Sequence, residues 1–294
     1  MTFVDWAANL AAGGRGDRRY GTDHLLVPED PDIRLPDSSS PSRIDRVRDF
    51  DPRGGSGQES ATDDYELRGD EHDAVSLLAR LADTGPALEL AIGSGRIAVP
   101  LAATGLRVDG IEIAPTMIAR LQARPGGERL RVVEGDMADV AVPDSYPLVF
   151  VVFNSIFNLL TQDEQVRCFA NVAAHLTDDG VFVVEAALPG PGEAVPGPTY
   201  RLDQQWVAAA SVDTDRVVLE VGRYDPSTQL IDKNRVRIGP GGTSLAPVSL
   251  RFAWPSELDL MARLSGLRLR SRWGGWRGEQ FSATSRRHVS VYAR

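Results

Sequence analysis

A glycine-rich turn and two acidic residues, each near the end of a short apolar run, give this sequence its chemical character. The segment LELAIGSGRIAVPLA (88–102) reads as a strand passing through a glycine-rich turn into a helix. Gly93 and Gly95 let the backbone approach a ligand closely, and a helix beginning near Arg96 offers free N–H groups to it. The same G-x-G-x-x-A pattern opens many nicotinamide-binding units, and an ordinary tight turn uses it too. Seventeen residues after Gly95, near the end of LRVDGIEI, Glu112 can accept two hydrogen bonds from a ribose diol. Its alternative role is that of an acid stabilised at the N-terminus of the helix PTMIARLQ. Asp136 in LRVVEGDMADV follows a third strand, where its carboxylate can accept an adenine amino proton while the Met137 backbone lies alongside the ring. Nicotinamide chemistry gives no reason for this third site.

Other reactive side chains are sparse. Asn154, in FNSIFNLL, can hydrogen-bond a ligand or cap the following turn. Cys168 is the one cysteine, which excludes an intramolecular disulfide, a Cys-rich zinc site and a three-cysteine iron–sulfur motif. It falls at a helical core position in EQVRCFANVAAHL and is read as a small apolar filler. Asp178 and Asp179 precede Gly180 and are read as turn formers, and no cluster with metal-ligand spacing is present in the sequence. A net charge of −9 would repel polyphosphate, so a nucleic-acid partner is not expected. No apolar run approaches the roughly 20 residues that cross a bilayer. The opening MTFVDWAANLAAGG lacks both a basic start and a sustained apolar stretch, so a cytoplasmic protein without a membrane partner is expected.

The elements that must hold these residues follow from apolar periodicity. Residues 1–60 are rich in Gly, Pro, Ser, Asp and Arg, and are expected to form a largely disordered or loosely packed extension. In EHDAVSLLARLAD, Val75, Leu77, Leu78 and Leu81 share one helical face. PALELAI, LRVDGIEI, LRVVEG, PLVFVVF and GVFVVEA then read as buried strands separated by helices, the pattern of a parallel sheet with right-handed crossovers. After the breaker segment PGPGEAVPGP, four strand-like runs separated by Asp-Pro and Gly-Gly signals predict an antiparallel insertion over 190–254. A helix over PSELDLMARLSG and two strands, LRLRSRW and HVSVYAR, close a main domain spanning 61–294.

The ordered segments LELAIGSG, GIEIAPTM, EGDMADV, LVFVVFNSIFNLL and LTDDGVFVVE resemble the motif set of class I S-adenosylmethionine-dependent methyltransferases over roughly residues 86–186. The resemblance implies a doubly wound α/β fold with a seven-stranded, mostly parallel Rossmann-like sheet and the antiparallel insertion after the fifth strand. It implies S-adenosylmethionine as cofactor, with Glu89 orienting the turn around the methionine moiety and Glu112 and Asp136 holding ribose and adenine. Ala91 stands where the family's first turn glycine would be. Ile113 and Met117 of GIEIAPTM, together with Arg96, Met137, Asn154 and Tyr65, complete the cofactor set that the resemblance implies. The fourth-strand segment is similar to that of the small-molecule branch that includes sugar-amine N-methyltransferases.

Because the family's seventh strand runs antiparallel, its start is expected at the ligand-binding face, which places Trp273, Trp276, Arg277, Arg287 and His288 around an acceptor. The insertion is expected to add Tyr200, Trp206 or Trp254 as further walls, core packing being the alternative for each tryptophan. His288, Asn154 and Tyr65 are the expected catalytic residues, with His288 the best placed base for a hydroxyl acceptor. The implied reaction is in-line methyl transfer to nitrogen or oxygen of a small molecule. The alternatives are a noncatalytic scaffold of the same fold and an NAD-dependent oxidoreductase. A homodimer is left open.

Overall fold

The structure is a computed structural model that describes residues 69–188 and 205–294. The expected extension over 1–60, Tyr65 and Tyr200 lie outside the described residues. The first described helix, α1 (Glu71–Ala82), buries Ala74, Val75, Leu77, Leu78 and Ala82 along one face. Its acids Glu71 and Asp73 stand in the first turn and Arg80 in the last, which suits the helix dipole.

Strands β1 (Ala87–Leu90) and β2 (Val108–Glu112) are buried at every position. That is the expected signature of strands covered on both faces. They alternate with α2 (Ala98–Ala102), α3 (Pro115–Ala123), β3 (Arg131–Glu134), β4 (Tyr146–Val151), α4 (Gln162–His175) and β5 (Leu176–Ala187). Near the C-terminus, α5 (Pro255–Leu264) leads to β10 (Arg268–Trp273) and β11 (Arg287–Ala293). These strands form one seven-stranded sheet in the order β10-β11-β5-β4-β1-β2-β3, with β11 antiparallel to both neighbours. Side chains alternate between two cores. Leu88, Leu90, Val149, Val151, Phe182 and Val184 face one, whereas Ala87, Leu148, Phe150, Val181 and Val183 face the other. Chain order reverses between β1 and β4, so a crevice opens beyond the carboxyl ends of those two strands.

The insertion is a separate four-stranded antiparallel meander of β6 (Gln205–Val212), β7 (Val217–Asp225), β8 (Leu230–Gly239) and β9 (Gly242–Arg251). Asp225 makes the Asp-Pro turn by accepting the Ser227 N–H at 3.0 Å, and Gly239 and Gly242 close the next hairpin. Trp206, Ile231 and Leu250 point from this sheet into the first core. Arg251, buried at the end of β9, fastens the two sheets together. Its Nη1 donates to Gln165 of α4 at 2.5 Å. Its Nη2 donates to Gln229 and Glu257, each at 2.8 Å. Gln165 returns a bond from Nε2 to the Arg251 carbonyl at 3.0 Å. Among the described residues no helix is long and apolar enough to cross a membrane.

Candidate cofactor and acceptor site

The carboxyl ends of β1 and β2 bring the first two sequence-predicted carboxylates together. Glu112, at the last position of β2, is buried and accepts the Gly93 N–H on Oε2 and the Ala114 N–H on Oε1, both at 2.9 Å. It therefore ties the glycine turn to the start of α3 and keeps lone pairs on both oxygens for further donors. Burial raises its pKa, and the backbone bonds oppose that shift. Glu89, on β1, is also buried, and its Oε2 has no hydrogen-bond partner. Burial pushes its carboxyl well above the ordinary range, against the lowering effects of the Ala98 backbone and the Arg96 charge, with Glu112 adding to the rise.

Between these acids the backbone is left-handed at Ala91 (φ 52°), Gly93 (φ 57°) and Gly95 (φ 76°). Only one of the two glycines leaves open space. A Cβ on Gly93 would meet nothing closer than Met117 Cε at 3.4 Å. On Gly95 it would lie 2.2 Å from Leu121 Cδ1. The side-chain position of Gly95 is filled by α3, so packing against Leu121 as well as its left-handed φ requires glycine there. The helix expected from Arg96 is also shorter than anticipated, since α2 spans five residues from Ala98. Arg96 instead places its guanidinium 3.3 Å from the centre of the Phe153 ring and 3.6 Å from Glu71. Ile113 and Met117 are half-buried beside the turn. Past β3, Asp136 accepts the Ala138 N–H on Oδ1 at 2.8 Å, and Met137 packs into the first core.

The end of β4 is held by a residue that the sequence reading missed. Phe153 and Asn154 are consecutive left-handed residues, at φ 56° and 67°. Such conformations cost energy and need support from their surroundings. Glu185, buried on β5, supplies it by accepting the Phe153 N–H on Oε2 at 2.5 Å, and its carbonyl accepts the Asn154 N–H at 3.3 Å. Asn154 in turn accepts the Ala187 N–H on Oδ1 at 2.5 Å. Its carbonyl therefore braces β4 against β5. Arg287, expected as an acceptor wall, is a bolt between elements: it pairs with Asp70 before α1 and lies 3.7 Å from Glu185. A carboxylate inside the apolar run GVFVVEA was the available signal for this clip.

The residues expected on the acceptor side fall in different surroundings. Trp206 is buried over Gly222, where a Cβ would sit 2.2 Å from the indole, so it packs between its own sheet and the first core. Trp276 is buried in the second core. Trp273 is half-buried on β10, packed against that core. Trp254 is 44% exposed, with its ring edge-on to Phe252 at 4.9 Å. His288 lies at the carboxyl end of the sheet, paired in register with Ala186, yet it is fully buried. Burial, reinforced by the Arg272 charge, lowers its pKa to about 3. A histidine that holds a proton so weakly does not serve as a general base near neutrality. Cys168 is buried and its thiol pKa is pushed up, chiefly by burial, in keeping with a core filler.

The buried carboxylates and the open backbone at Gly93 fit a cationic adenosine-bearing ligand: the orphaned Glu89 oxygen can take an ammonium proton, and Glu112 has lone pairs to spare for hydroxyls. Comparison with known proteins places the chain among methyltransferases. Residues 87–180 match a methyltransferase domain family. The chain is 35% identical to the CcbJ methyltransferase of Streptomyces caelestis, covering 76% of this chain and 89% of that one with a TM-score of 0.69. It is 25% identical over 221 residues to a Streptomyces cypemycin N-terminal methyltransferase, covering 73% of this chain and 85% of the relative. A dTDP-3-amino-3,6-dideoxy-alpha-D-glucopyranose N,N-dimethyltransferase of Streptomyces fradiae is 34% identical over 98 residues, covering 33% of this chain and 38% of its own length.

Proposed function

Because the chain belongs to the S-adenosylmethionine-dependent methyltransferases, we propose that its acceptor is an amine nitrogen of a small molecule, methylated without proton removal by His288. The observation that carries this reading is the state of His288. The histidine at the carboxyl end of the sheet is buried and has a pKa of about 3. A neutral amine already has the lone pair it needs, whereas an alcohol gains from proton removal during attack. The cofactor supplies a methyl group already activated on a sulfonium. What remains for the protein is to hold two reactants in line and keep water away.

Glu112 would hold the ribose, Asp136 the adenine amino group, and Glu89 the cationic amino-acid end. The braced Phe153–Asn154 turn would form the wall nearest the transfer, and the amine proton would leave to water afterwards. The amine acceptors in the names of two relatives support the same choice.

The test is a panel of amino sugars, including the dTDP-3-amino-3,6-dideoxyglucose just named, and peptides with a free N-terminus, each paired with its hydroxyl analogue. Mass spectrometry after incubation with S-adenosylmethionine should show one or two added methyl groups on an amine and none on the paired alcohol. Methylation confined to hydroxyl compounds would overturn the proposal.

A further inference from the structure

The buried His288 has one nitrogen engaged and one left over. Arg272 Nε donates to Ser290 Oγ at 2.7 Å, and the same hydroxyl lies 2.8 Å from His288 Nδ1. A guanidinium can only donate, so the hydroxyl oxygen is the acceptor of that first bond. Ser290 is itself fully buried, and among the described residues the acceptor in reach of its proton is His288 Nδ1. The reverse arrangement would crowd two N–H donors onto one oxygen and strand a buried O–H, at the cost of an unmade hydrogen bond. Nδ1 is therefore the acceptor, and the neutral ring carries its proton on Nε2.

That Nε2–H is buried and has no hydrogen-bond partner. Arg272 is in turn fixed by Asp259 at 2.6 Å, so the tautomer is set by a chain anchored on α5. His288 stands where β5 and β11 reach the carboxyl edge of the sheet. Only one residue before it, Arg287 faces Ala187, the last residue of β5. The Asn154 side chain bonds to the N–H of that same Ala187. A buried, unpartnered donor at the ligand-binding edge of the fold is a group waiting for an acceptor atom.

We propose that His288 is a hydrogen-bond donor to the methyl acceptor, offering Nε2–H to an oxygen that flanks the amine: a sugar hydroxyl, a ring ether or a carbonyl. This rests on the amine reading of the site and adds a second demand on the substrate, an oxygen acceptor at fixed distance from the nucleophile. Sites built to bond a polar group reject analogues that lack it, because the buried donor is then left unpaired.

Two measurements decide it. In full-length protein labelled with 15N-histidine and assigned with His288→Gln, the His288 ring should show a protonated Nε2 and a bare Nδ1, unchanged between pH 8 and 5. A protonated Nδ1, or a titration near pH 6, overturns the tautomer and the proposal with it. In the second, dTDP-3-amino-3,6-dideoxyglucose is the acceptor, or another amine of the panel if it is the better substrate. His288→Leu and His288→Asn should raise the acceptor KM by about 10-fold or more, with kcat within about 3-fold and cofactor affinity unchanged.

His288→Gln, whose amide nitrogen falls close to the position of Nε2, should recover most of that loss. A merely structural histidine would instead lower the melting temperature of all three variants and leave KM in place, which also overturns the proposal. If no amine is methylated by the unaltered protein, the amine reading fails, and the tautomer measurement still judges His288 independently.

Discussion

At the scale of single residues, the site stores charge in places where charge is unwelcome. Glu89 has its pKa raised chiefly by burial. A group shifted this way contributes stability that is complete below the ordinary carboxylate pKa and is lost as pH rises through the raised one. Glu89→Gln should therefore melt higher than the parent at pH 8 by an amount corresponding to roughly 1–2 kcal/mol, with the difference vanishing below pH 4. The same variant should bind S-adenosylmethionine more weakly in calorimetry, since it has given up the charge that the cationic ligand needs. Equal melting at pH 8 would show that the buried acid costs nothing. His288 works in the other direction: its pKa lies below the ordinary value, at about 3. From pH 6.5 down to about 3 the unfolded chain takes up a proton that the native histidine refuses, so stability falls with falling pH. Urea denaturation of His288→Gln across this window should lose about 1.4 kcal/mol per pH unit less than the parent. Glu112→Ala should weaken cofactor binding by about 10–100-fold, because it removes the acceptor of ligand hydroxyls as well as the brace on the Gly93 turn.

Elements explain what the sequence could and could not reveal. The strands and helices were legible because periods of 2 and 3.6 leave a local record; Glu112 stands at the end of β2 and Asp136 two residues past β3, whereas Glu89, third of the four residues of β1, was reached only through the family resemblance. The side chains that depend on partners distant in sequence were not. Glu185 reads as one acid in an apolar run until β4 lies beside β5 and the Phe153 N–H comes within reach. Trp206 and Trp276 read as walls because their spacing does not say which face of an element meets the core. Gly95 shows the same gap: its glycine requirement was visible, but the neighbour that enforces it, Leu121, lies on another helix. Gly95→Ala should accordingly destabilise the fold by about 1–3 kcal/mol, through a left-handed φ and a collision with Leu121 together. A urea midpoint unchanged by this substitution would mean that α3 can move aside. Gly93→Ala meets no such collision in the protein alone, so beyond the strain of its left-handed φ its effect should fall on cofactor affinity.

For the whole molecule, the decisive feature is how the four-stranded sheet is attached to the seven-stranded one. Arg251 carries the join, with Gln165, Gln229 and Glu257 each satisfied in the same buried network. Removing one partner from such a network is far more costly than never having built it. Arg251→Met should cost about 3–5 kcal/mol in chemical denaturation, with the two sheets separating into two transitions in place of one. A single transition of undiminished midpoint would show that apolar packing alone holds the sheets. The join also divides the meander along its own length. Amide hydrogens around Arg251, where β9 leaves the sheet toward α5, should exchange with solvent deuterium only when the whole protein opens, while those at the far hairpin of β8 and β9 around Gly242 should exchange through local fraying. Read by deuterium uptake, the second sheet would then be a lever clamped at one end, quiet at the join and restless at its tip.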